Sequence, residues 1–111
     1  MSLSTHVLDA VRGRPAAGVA IRLEVTADVG WRLLAVARTD DDGRARDGLP
    51  ETLAEGTYRL TFDTAAYFAD QGVKEFFYPE VAVCFTVSDP GARHHVPLLL
   101  SPFAYSTYRG S

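Results

Sequence analysis

Between residues 19 and 25 every second side chain is apolar: Val19, Ile21, Leu23 and Val25 alternate with Ala20, Arg22 and Glu24. A period of two places the two sets on opposite faces of an extended chain, which commits this segment to a half-buried β-strand. The same pattern recurs along the chain. Leu3, Thr5 and Val7 against Ser4, His6 and Leu8 give a first strand from Leu3 to Asp9, with Arg12-Gly13-Arg14-Pro15 as the turn behind it. Trp31 to Arg38 reads as another strand, broken by the acidic turn Thr39-Asp40-Asp41-Asp42-Gly43, and Ala45 to Leu49 as a short one that Pro50 ends. After Gly56, the side chains of Tyr58, Leu60 and Phe62 face one way, and those of Thr57, Arg59, Thr61 and Asp63 the other. Val81 to Val87, Arg93 to Leu100 and Ala104 to Tyr108 complete the set, with Ser101-Pro102 separating the last two. Only Thr64 to Gln71 departs from the period: it is alanine-rich, has Asp63 or Thr64 to cap its start and Gly72 to stop it, and predicts a two-turn helix. About eight short strands between turn signals predict an all-β fold, a two-sheet antiparallel sandwich with one short helix.

A length of 111 residues makes residues 1–111 a single domain, and 47% hydrophobic residues suffice for a core. A net charge of −3, with cations scattered rather than clustered, argues against nucleic acid as a partner. No apolar run is long enough to span a bilayer, so no membrane association is expected. The segment ahead of His6 carries no secretory pattern and Cys84 is the only cysteine, both of which predict a reducing, cytoplasmic setting. Cys84 itself, in mid-strand between Ala82 and Thr86, is expected to be a packed, inert thiol.

The residues able to carry chemistry are few. In the last long strand Val96, Leu98 and Leu100 share the core face, so alternation turns His95 outward, where its ordinary fate is solvation. His94 has core parity but stands at the strand start, where that face is expected to be open. The two adjacent histidines point to opposite sides and are poorly placed to chelate one metal. His6 lies opposite the core face of the first strand. Arg44 leaves the acidic turn and is expected to pair with Asp40 or Asp42, a surface contact worth about 0–1 kcal/mol. That turn lacks the late glutamate and the flanking helices of a calcium-binding loop. The apolar, aromatic end, Phe103 to Tyr108 followed by Arg109-Gly110-Ser111, is unlike a fraying terminus and predicts a docked one.

Four motifs carry a family resemblance: His6-Val7-Leu8-Asp9, Thr39 to Arg44, His95-Val96-Pro97-Leu98-Leu99-Leu100-Ser101-Pro102, and Tyr108-Arg109-Gly110-Ser111. Together they resemble the 5-hydroxyisourate hydrolases, the enzymatic branch of the transthyretin superfamily. Transthyretin proper is similar over Val7 to Gly13 and Ser101 to Thr107, but lacks the terminal Tyr-Arg-Gly-Ser and has other residues where His6, Arg44 and His95 stand. The resemblance implies a transthyretin-like sandwich, assembled as a homotetramer (a dimer of dimers) with sites in a channel between dimers. It also implies hydrolysis of 5-hydroxyisourate to 2-oxo-4-hydroxy-4-carboxy-5-ureidoimidazoline without metal or organic cofactor. Carried over by motif, the catalytic residues are His6, Arg44, His95 and Ser111, and Tyr108 joins them in binding substrate. The family often has His-Tyr-His where this chain has Arg93-His94-His95, so Arg93 is left out of the expected site. A small-molecule carrier using the same channel is the alternative the resemblance allows.

Overall fold

In a computed structural model that describes residues 3–111, the alternation resolves into eight strands and one helix. They run β1 (Leu3–Asp9), β2 (Arg14–Pro15), β3 (Ala20–Thr26), β4 (Trp31–Arg38), β5 (Gly56–Phe62), α1 (Thr64–Asp70), β6 (Val81–Val87), β7 (His94–Leu100) and β8 (Tyr105–Thr107). One four-stranded sheet has the order β2-β1-β7-β8 and the other β4-β3-β5-β6. The apolar half of each alternation meets the other sheet: Leu3 and Val7 of β1, Ile21 and Leu23 of β3, Leu60 and Phe62 of β5, and Leu98 and Leu100 of β7 are all buried. Burying such side chains contributes about 1.5–3 kcal/mol each, which fixes the register, since a one-residue slip would turn them all to water.

The helix begins where expected, with the Asp63 carboxylate accepting from the Ala66 N–H. Gly72, at φ 74°, ends it. Tyr67 and Phe68 anchor it to the core. The Tyr67 hydroxyl donates to Asp9 Oδ2 at 2.7 Å, while Asp9 Oδ1 accepts from the Val11 and Arg12 N–H groups. Burial and the Asp9 carboxylate together push the Tyr67 phenol up from its ordinary value, keeping it a neutral donor.

Four sequence expectations need correction. Ala45 to Leu49 is not a strand: only Arg44 bridges to β1, and Gly48, at φ 96°, bends the chain away before a ladder can form. Its place as the eighth strand is taken by Arg14–Pro15 in the predicted turn, which pairs with Leu8 and Asp9 of β1. The sandwich is not purely antiparallel, because β1 and β7 run parallel along their whole length. The chain crosses to the other sheet and back between them, as a parallel pair requires. Cys84 is exposed rather than packed, because its face of edge strand β6 has no cover among the described residues.

Candidate functional site

The acidic turn places Arg44. Gly43, at φ 75°, lies so close to β1 that a Cβ there would meet the Val7 carbonyl. This approach lets the Val7 N–H donate to the Gly43 carbonyl at 2.7 Å and brings Arg44 into an antiparallel bridge with His6. Asp40 holds the turn by accepting from the Asp42 and Arg44 N–H groups at 2.9 and 3.1 Å. The hydrogen bond from the Arg44 main chain is the largest influence holding the Asp40 carboxyl below its ordinary value, and the Arg46 guanidinium adds to it. Arg46, not Arg44, takes the acid pair, reaching Asp40 at 2.8 Å and Asp42 at 3.1 Å. The expected Arg44 ion pair is therefore replaced. Among the described residues, Arg44 keeps its guanidinium free of carboxylates.

His95 is placed by strand pairing. The parallel register sets Ser4 beside His95, and the Ser4 hydroxyl lies 2.8 Å from the ring Nδ1. The half-buried imidazole is pushed below its ordinary value first by desolvation, against a raising influence from the Ser4 main chain, and then further by Arg44, His6 and Arg93. The lowered value favours the neutral ring near pH 7. His94, expected at an open face, is instead 6% exposed with its Nδ1 buried and unpartnered. The β1 ladder, with Leu3 opposite His94, extends the sheet to the very start of β7.

The tail is hydrogen-bonded to the same strand. Thr107 Oγ1 donates to the Pro97 carbonyl at 2.7 Å, and the Gly110 N–H to the His95 carbonyl at 2.8 Å. These bonds draw Ser111 over the end of β7. The outcome is a cleft of about 320 Å³ lined by Ser4, Arg44, Arg93, His95 and Ser111. Three of the residues named from sequence, Arg44, His95 and Ser111, share this cleft. His6 stands beside it, its Nε2 donating to the Asp42 carbonyl at 2.8 Å, because a carbonyl can only accept. Tyr108 lines an adjoining groove of about 290 Å³ with Cys84, Phe85 and His94, and His95 lines both it and the cleft.

Two lining residues stand outside the expected site, Arg93 having been set aside and Ser4 not singled out. Arg93 shares the parity of His95, two positions away, and that spacing was the available signal. Ser4 touches a residue 91 positions distant, and only the parallel pairing brings them together. The cleft therefore combines two guanidinium groups, one neutral imidazole and hydroxyl groups. That set can bind a planar, oxygen-rich ring, take a proton from water and stabilise an oxyanion. Among the described residues no group of three or more histidine, cysteine or acidic side chains converges as a metal site. No helix among them is long and apolar enough to cross a membrane.

The profile of the transthyretin family, described as "HIUase/Transthyretin family", matches residues 3–110. The 5-hydroxyisourate hydrolase of Salmonella dublin is 47% identical over 110 residues, covering 98% of this chain and 80% of that protein. Among solved structures, Klebsiella pneumoniae 5-hydroxyisourate hydrolase superposes with a TM-score of 0.86 at 36% identity, covering 100% of both chains. Sea bream transthyretin in complex with thyroxine gives a TM-score of 0.90 at 36% identity, covering 99% of this chain and 95% of that one. An (S)-allantoin synthase also gives 0.90 at 36% identity, but this chain spans only 43% of its length.

Proposed function

Because this chain belongs to the HIUase/transthyretin family, we propose that it hydrolyses 5-hydroxyisourate, the product of urate oxidation, to 2-oxo-4-hydroxy-4-carboxy-5-ureidoimidazoline. The observation that carries this reading is the convergence of Arg44, His95 and Ser111 in one cleft, with Arg44 free of the carboxylates beside it. His95 Nε2 takes a proton from water as the oxygen attacks a ring carbonyl carbon. The carbonyl oxygen becomes an oxyanion facing Arg44, whose permanent charge and forked donors suit it. Collapse of that intermediate breaks the ring C–N bond, and the proton held by His95 passes to the departing nitrogen. One water is consumed, a carboxylate forms, and the freed nitrogen becomes the ureido end. His6, tied to the turn through Nε2, orients the loop that carries Arg44. Ser111 orients substrate from the tail side. Tyr108 lies in the neighbouring groove that His95 also lines, from where it joins in binding substrate.

A proton taken by a positioned histidine contributes about 10²–10⁴-fold, and a charge-assisted hydrogen bond about 1.5–3 kcal/mol, or roughly ten- to a hundredfold in rate. His95→Ala and Arg44→Ala are each expected to lower turnover by amounts in those ranges. The carrier alternative draws on the likeness to a thyroxine-bound transthyretin. A carrier site for an apolar ring has no use for two uncompensated guanidinium groups around a neutral imidazole, and the hydrolase reading accounts for both. The test generates 5-hydroxyisourate in place with urate oxidase and follows its ultraviolet decay. Acceleration by micromolar protein supports hydrolysis; decay at the spontaneous rate removes it.

A further inference from the structure

We infer that Ser4 and Gly110 form a two-sided clamp that fixes the His95 ring in one tautomer, with a proton on Nδ1 and the Nε2 lone pair facing the cleft. The assignment of Nε2 as the catalytic base rests on the function proposed above; the clamp itself rests on geometry alone.

One jaw is chemical. Ser4 Oγ lies 2.8 Å from His95 Nδ1, and no other side-chain partner for either atom occurs among the described residues. A serine hydroxyl can donate or accept, so this bond alone admits both tautomers. The surroundings choose between them. Arg44 and Arg93 share the cleft with His95, and both are permanent cations. In a neutral imidazole the nitrogen without a proton is the negative end of the ring dipole. Turning that end toward two guanidinium groups is favourable, whereas turning an N–H toward them is not. Nδ1 then carries the proton and donates to Ser4 Oγ. Removing the hydroxyl leaves the Nδ1 proton without this partner and narrows the gap between the tautomers, the guanidinium preference remaining.

The other jaw is steric. The tail crosses His95 with the Gly110 N–H donating to the His95 carbonyl at 2.8 Å. Glycine suits that crossing because a Cβ on residue 110 would collide with Cδ2 of His95 and crowd its Cγ and Cβ. The imidazole edge next to Nε2 is thus packed against tail backbone while Nδ1 is bound to β1. With both edges held, the χ2 flip that would exchange Nδ1 with Cδ2 and Nε2 with Cε1 is blocked. Ser4 and Gly110 act through His95 and are positioning residues; neither need touch the reacting atoms.

The experiment reads the tautomer directly. The chain has only three histidines, so ¹⁵N-histidine labelling with long-range proton–nitrogen correlation resolves each ring, and His6→Gln and His94→Gln assign them. In the wild-type protein, above the titration of His95, a protonated Nδ1 and an unprotonated Nε2 are expected. Ser4→Thr, which keeps the hydroxyl, should preserve that pattern, whereas Ser4→Ala should raise the share of the other tautomer. Turnover should follow: kcat about five- to tenfold lower in Ser4→Ala with KM unchanged, the worth of one neutral hydrogen bond, and restored in Ser4→Thr. Gly110→Ala, checked for fold by circular dichroism, should shift the His95 ring resonances without moving those of His94. A proton on Nε2 in the wild-type protein, or a spectrum unmoved by Ser4→Ala, overturns the clamp. The spectra need no substrate, so a fixed Nδ1–H tautomer in a protein without hydrolase activity supports the clamp while removing the proposed function.

Discussion

At the scale of single residues, the proposed hydrolysis depends on His95 being neutral. Burial lowers its affinity for protons, and the adjacent cations lower it further, so its folded value falls below the ordinary 6.5. A rate that needs the neutral ring is then full above that value and declines only on acidification past it. The pH–rate profile of kcat should show an acid limb with its midpoint below about 6.5. A limb centred at or above that value would assign the titration to another group. Stability follows the same sign: between the lowered folded value and 6.5 the unfolded chain binds more protons, so the His95 contribution is complete above 6.5 and is lost as pH falls through that window. Asp9 offers an independent stability test. Its carboxylate accepts from Tyr67 and from two backbone N–H groups in a buried setting. Tyr67→Phe should cost about 1–3 kcal/mol in denaturant unfolding, because the carboxylate loses a partner it cannot replace with water. Alternation gave the parity of His6, His95 and Leu3 correctly, since pleating alone decides it. It failed for Arg44, where the competing cation Arg46 lay two residues on and only the turn geometry chose between them.

At the scale of elements, β7 is where the candidate site is assembled: β1 supplies Ser4 on one side, the tail supplies Ser111 on the other, and the Gly43 turn delivers Arg44. The tail docks through main-chain bonds at Gly110 and a threonine hydroxyl at Thr107, while residues 105–109 stay exposed. Little apolar surface is buried there. Deleting Arg109 to Ser111 should therefore lower the thermal midpoint by only a few degrees, the effect of roughly 1 kcal/mol in a domain of this size, but reduce turnover at least tenfold if the tail orients His95 and substrate. A truncated protein with full turnover would make Ser111 a bystander. Strand existence was legible because strong alternation is local. The parallel partnership of β1 and β7 was not, because pairing across 91 residues leaves no mark in either strand. The lost strand at Ala45 to Leu49 has the same origin: a compatible composition found no partner edge beyond the bridge at Arg44.

At the scale of the molecule, the two sheets end in strands whose outer edges have no partner among the described residues, β6 and β8 among them. Exposed edges favour pairing between chains, which agrees with the proposed homotetramer; sedimentation should then give a species at four times the 12.1 kDa chain, and a lone monomer would contradict it. Leu60, fully buried between the sheets, should cost about 2–5 kcal/mol when cut to alanine, a core effect separable from catalysis. The sandwich was legible as a whole because its layers follow from alternation and turns, and the family likeness rested on motifs whose residues the fold then gathered around β7. The most direct test compares wild-type protein with His95→Ala, matched for fold and oligomeric state, in the decay of freshly generated 5-hydroxyisourate. Strong acceleration by the wild type and a loss of about a hundredfold or more in the variant is the predicted result; equal acceleration by both would contradict the assignment of hydrolysis to this cleft.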